Sequence, residues 1–149
     1  MRVPAAVVGS FAALTLAMPL TAAPAVAASA VKLRAIQYDS PGSDGGSNSS
    51  LDPEWVTIKN TGARTKSLGD WTLRDTSRHV YRFPSGFTLG AGQSVRVHTG
   101  RGANDRNDLY WKQDWYIWNN TGDKAILRNS RGNNVDTCSW GDRDGTASC

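Results

Sequence analysis

After residue 28 the chain has a single glutamate, Glu54, against twelve aspartates, and no stretch places apolar residues at i, i+3, i+4 and i+7 over three turns. Asp favours turns and caps whereas Glu is a good helix former, so these two absences argue against long helices and for many turns. Apolar residues are scarce as well. Residues 29–149 are about 31% apolar, below the ~45–50% usual for globular domains on a count that includes glycine. Histidine is limited to His79 and His98, and cysteine to Cys138 and Cys149, with no His near either Cys, which argues against a zinc site. No cysteine stands near residue 28, which excludes attachment through a lipidated N-terminal cysteine. Past that point 16 Lys and Arg face 13 Asp and Glu, a net charge of +3, too weak by itself to name a nucleic-acid partner.

What is present begins with residues 1–28, which hold 20 of the 58 apolar residues and no acidic one. Arg2, the apolar stretch Ala5 to Leu20, Pro19 and Pro24, and the small residues Ala25, Ala27 and Ala28 read as a secretory signal peptide. The alternative is an uncleaved anchor, but the apolar stretch is shorter than the ~20 residues a span needs. The expectation is an exported protein with no membrane insertion once the signal is removed, and one domain over residues 29–149.

That domain reads as all-β, with short alternating runs separated by Gly, Asn, Asp and Ser clusters. Val31 to Tyr38 opens the series, and the polar stretch Asp39 to Asp52 reads as a long flexible loop. Period two then gives inward pairs Val56 and Ile58, Trp71 and Leu73, Tyr81 and Phe83, Phe87 and Leu89, Val95 and Val97, and Ala125 and Leu127. Seven to nine strands are expected. Asn129 to Asn134 is a candidate hairpin connection, and Asp108 to Trp115 a candidate single helical turn.

The ordered motifs Glu54-Trp55-Val56-Thr57-Ile58-Lys59-Asn60-Thr61-Gly62, Leu68-Gly69-Asp70-Trp71-Thr72-Leu73-Arg74-Asp75, Tyr81-Arg82-Phe83-Pro84, Leu89-Gly90-Ala91-Gly92 with Val95-Arg96-Val97, and Trp118-Asn119-Asn120-Thr121-Gly122-Asp123 with Leu127-Arg128-Asn129 resemble the lamin tail domain of small secreted bacterial proteins. The resemblance runs from about Val31 to Trp140. It implies an immunoglobulin-like β-sandwich and carries over no catalytic residues. A coiled-coil rod is lacking, so a filament role does not transfer.

In an exported chain the two cysteines read as one Cys138–Cys149 disulfide, with free thiols or an intermolecular bridge as alternatives. Asp142, Asp144 and Gly145 resemble a fragment of a calcium loop. The further oxygen ligands and closing Glu are missing, so a solvated turn is expected, with no metal and no cofactor. Either histidine could act as a base, yet no nucleophile with an orienting acid stands at recognisable spacing, and no catalytic residue is expected.

Two binding surfaces remain. Five rings lie in the nine residues from Tyr110 to Trp118, more than one alternating strand can bury. With Trp118 inward, Tyr110, Trp111, Trp115 and Tyr116 form a candidate ledge for a polysaccharide, unless the rings close one end of the core. Opposite the inward pairs, Lys59, Arg74, Arg82, Arg96 and Arg128 form a candidate basic stripe for a polyanion such as extracellular DNA or an anionic wall polymer, unless two sheets divide them. The expected function is a monomeric, non-catalytic extracellular binding module of ledge or stripe type, with a hydrolase of unrecognised site the remaining alternative. Intact mass should show a mature protein starting near Ala28 or Ser29 with no alkylatable thiol. A retained leader or two free thiols overturns the reading.

Overall fold

A computed structural model describes residues 28–149. Apart from Ala28, the signal-peptide segment lies outside the described residues. Eleven strands and one helical turn follow in order: β1 (Val31–Gln37), α1 (Asn48–Leu51), β2 (Trp55–Asn60), β3 (Lys66–Ser67), β4 (Thr72–Arg74), β5 (Val80–Arg82), β6 (Thr88–Leu89), β7 (Ser94–His98), β8 (Asp108–Tyr110), β9 (Gly122–Arg128), β10 (Asn134–Gly141) and β11 (Thr146–Ser148). Nine of them build two facing sheets, ordered β11-β1-β2-β7-β8 and β10-β9-β4-β5, and β3 pairs with β6 alone.

Alternation sets the inward faces as expected for Val56, Ile58, Leu73, Tyr81, Phe83, Leu89, Val95, Val97, Ala125 and Leu127, all buried. Trp71 and Phe87 depart from it. They lie at strand ends, where the opposite sheet no longer covers them, and are only half-buried against the core. Asn129 to Asn134 does make the β9–β10 hairpin, with the Asn129 carboxamide oxygen accepting from the backbone N–H of Arg131 and Asn133 at 3.0 Å each.

The edges where the two sheets meet at β1 and β10 are joined by side chains. A register shift at Arg34 interrupts the β1–β2 ladder, and next to it the Leu33 N–H donates to the Asp136 carboxylate at 2.9 Å. Cys138 of β10 is bonded to Cys149, beyond β11, so the last strand is fixed to both sheets. These contacts occupy a long strand edge that would otherwise invite pairing with another chain.

The stretch 39–52 is not the plain loop its composition suggests. It winds through α1, buries Leu51, and is tied by Asn48, whose carboxamide donates to the Arg101 carbonyl at 3.0 Å and accepts from the Arg101 N–H at 2.6 Å. Nor does Asp108 to Trp115 form a helical turn. Its first residues are β8, parallel to β7, because the backbone groups of β7 supply partners that an isolated turn lacks.

With few aliphatics available, rings span the core in one chain of contacts. Tyr38 stacks on Trp140 (5.2 Å), Trp140 meets Trp118 edge-on (5.7 Å), and Trp118 meets Trp111 likewise (6.0 Å). Trp111 reaches Tyr81 (5.7 Å), which meets Phe83 (5.2 Å), and Phe87 closes the series (6.0 Å). Such pairs add about 0.5–1.5 kcal/mol each beyond the area they bury. Trp118→Ala, in the middle of this chain, should cost about 3–5 kcal/mol in denaturant unfolding, whereas exposed Trp115→Ala should cost less than about 1 kcal/mol. Equal losses would contradict the placement.

Candidate functional site

The outer face of the four-stranded sheet is built by the same parity that fills the core. Leu73, Tyr81 and Leu127 pair across β4, β5 and β9 facing inward, so their neighbours face out: Arg82, Thr72 and Arg128 in one row, Val80, Arg74 and Ile126 in the next, and Lys124 two residues further along β9. Thr137 and Ser139 continue the face on β10. Four cations therefore share it, and no carboxylate occupies an outward strand position. None of the four takes part in an ion pair among the described residues; those fall at Lys32–Asp136, His79–Asp75, His98 with Asp52 and Asp108, and Arg101–Asp114. Instead Arg128 Nε donates to the Asn134 side chain at 2.8 Å and Arg82 donates to the Asp70 carbonyl at 3.3 Å. Val80, 40% exposed, sits among them.

The five-residue stripe expected from the sequence is thus divided. Arg74, Arg82 and Arg128 converge, whereas Lys59 and Arg96 lie on the outer face of the five-stranded sheet, where Arg96 stacks over Trp55 at 4.6 Å. Sheet membership is a non-local property, and alternation along one strand does not report it. Lys124 escaped the sequence reading although it shares parity with Ile126 and Arg128, which was the available signal.

The aromatic ledge is divided too. Trp111 is 9% exposed and belongs to the core, contrary to its expected place on the ledge. The cause is local. Trp111 keeps the inward parity of Leu109, its N–H donating to the His98 carbonyl beside β7, and only beyond it does Lys112, at φ +62°, break the alternation, with the N–H groups of Lys112 and Gln113 donating to the carbonyls of Gly100 and Thr99. Tyr110 is half-buried and stacks on His98 (5.0 Å). Tyr116 is half-buried with its hydroxyl bonded to Ser50. Of the four, Trp115 alone is largely exposed, at 62%, and its ring packs beside Gly46.

Of the histidines, His98 faces outward but is covered by Tyr110, with Nδ1 2.8 Å from the Asp52 carbonyl and Nε2 2.9 Å from Asp108. His79 Nδ1 donates to the buried Asp75 carboxylate at 2.5 Å. Asp142 and Asp144 are exposed in the β10–β11 turn. Among the described residues no three His, Cys, Asp or Glu side chains cluster closely enough to hold a metal ion.

The lone glutamate has a structural task that composition did not reveal. Glu54 is fully buried, and its Oε1 accepts from the Thr99 hydroxyl (2.7 Å) and the backbone N–H groups of Ile117 (2.9 Å) and Trp118 (3.1 Å). Its Oε2 is buried without a partner. Burial pushes the carboxyl up to about 7, against the lowering effect of those three donors, and Asp44 adds to the rise.

The two facing sheets form an all-β, immunoglobulin-like sandwich, the architecture of an interaction module. The sequence model of the lamin tail domain matches residues 24–142, and the chain belongs to that family, whose members are non-enzymatic immunoglobulin-like domains.

The Glu54 carboxyl titrates near 7 folded and near its ordinary 4.5 unfolded. Its contribution to stability is full below about 4.5 and is lost as pH rises toward 7, about 3 kcal/mol in all. Glu54→Gln keeps an accepting oxygen and removes the titration. Its melting temperature relative to the parent should therefore climb between pH 5 and 7.5. A difference independent of pH overturns the assignment.

Proposed function

We propose that this protein is an exported, monomeric, non-catalytic binding module that holds a polyanion on the outer face of its four-stranded sheet. The observation that carries the reading is the convergence of Arg74, Arg82, Lys124 and Arg128 on a sheet face whose outward strand positions hold no carboxylate, none of the four cations making an ion pair among the described residues. Unneutralised like charges repel each other, and an anionic chain lying across them relieves that repulsion and releases its own counterions. The net charge concealed this face, because the aspartates that offset the cations lie in turns and on other surfaces. Burial of Trp111 argues against a ledge that binds a polysaccharide by stacking alone.

Binding of inorganic polyphosphate should fall steeply as salt rises. Arg82→Ala and Arg128→Ala should each lower the slope of log K against log salt by about one. Lys59→Ala and Arg96→Ala, on the opposite sheet, should leave the slope unchanged. Equal effects from both pairs, or none from either, overturn the proposal.

A further inference from the structure

At the end of the cationic face a cavity of about 420 Å³ opens, lined by Trp71, Asn129, Asn133, Asn134 and Val135 together with Ala28 and Ser29. It falls within the ~300–1,000 Å³ of small-ligand pockets. We infer that this cavity is a sugar subsite, and that the polyanion is an anionic polysaccharide whose pyranose rings enter it while its charged groups lie along the adjoining arginines. The inference rests on the cationic-face reading and names the ligand class for it.

Continuity between cavity and face is carried by one hydrogen bond. Arg128, in the row with Thr72 and Arg82, donates from Nε to the Asn134 Oδ1 at 2.8 Å, and Asn134 lines the cavity. Trp71, one residue before Thr72 of that row, has the opposite parity, so its side chain lies on the inward side at the open end of the sheet, against the core. Its backbone is fixed, donating to the Leu68 carbonyl (3.0 Å) and accepting from the Phe83 N–H (2.9 Å), while its ring is only half-buried. The cavity therefore has an apolar surface held in place at its wall.

The remaining lining groups are carboxamides. A pyranose ring offers an apolar C–H face and an edge of hydroxyls that both donate and accept, and a carboxamide does the same from its two ends. Asn129 is pre-oriented because its Oδ1 already accepts two hairpin N–H groups, and Asn133 is exposed at the rim. No carboxylate lines the cavity, so nothing there repels an anionic chain. A polyphosphate has no apolar ring to place against Trp71, and the cationic rows carry no aromatic side chain on which successive nucleobases would stack.

The test titrates purified protein with polygalacturonate, inorganic polyphosphate and oligothymidylate, comparing the parent with Asn133→Ala and Trp71→Leu after thermal melts establish that both are folded. Asn133→Ala should weaken polygalacturonate about fivefold and Trp71→Leu about tenfold. Asn133→Ala should leave polyphosphate unchanged. If polygalacturonate binds and neither variant affects it, or if polyphosphate binds and polygalacturonate does not, the subsite is overturned while the cationic face stands. An equal loss with oligothymidylate overturns it in favour of a base pocket. If no polymer binds, the cationic face and the subsite fall together.

Discussion

The packing of this domain depends on a chain of aromatic contacts that runs through its aliphatic core and joins the two sheets. Seven rings, from Tyr38 at one side to Phe87 at the other, join the two sheets through Trp140, Trp118, Trp111, Tyr81 and Phe83. Trp111 extends the β7–β8 ladder through its N–H bond to the His98 carbonyl, whereas Trp118 enters the chain from an irregular segment with no strand ladder to hold it. The carboxyl of Glu54 replaces the ladder, gathering the N–H groups of Ile117 and Trp118 at the head of β2. A single buried acid thus fixes Trp118 at the centre of the ring series, and its burial raises the carboxyl toward the protonated form.

With most rings committed inward, the outer faces carry mainly polar and charged side chains, and the sheets divide them unequally. On the five-stranded sheet Arg96 is engaged with Trp55 and Lys32 with Asp136, so charge is partly satisfied within the molecule. On the four-stranded sheet the cations surround Thr72, Val80 and Ile126 and find no anion. One sheet thereby keeps its cations free of any ion pair among the described residues, which is the feature the proposed polyanion would use. The Trp71 cavity at its end adds shape to a surface that would otherwise read charge alone.

Several features of this arrangement could be read from residue order. The inward placement of Val56, Ile58, Leu73, Tyr81, Val95, Val97 and Leu127 follows from a period of two, a local property of an extended backbone. The Asn129 hairpin was legible for the same reason, because its Asx turn involves only neighbours. Where a residue stands at the end of a strand, as Trp71 and Phe87 do, parity names the side but not whether anything covers it.

The sequence by itself determined the all-β class, the family, the turns and the parity of each strand, since these rest on contacts within a few residues. Only the tertiary structure decided that Arg74, Arg82, Lys124 and Arg128 share a sheet while Lys59 and Arg96 do not, and that Trp111 is core while Trp115 is surface. Strand pairing joins residues dozens of positions apart, and beyond Trp111, which keeps the parity of Leu109, a left-handed Lys112 and the distant Glu54 carboxyl, rather than any periodicity, fix the irregular segment that carries the remaining rings.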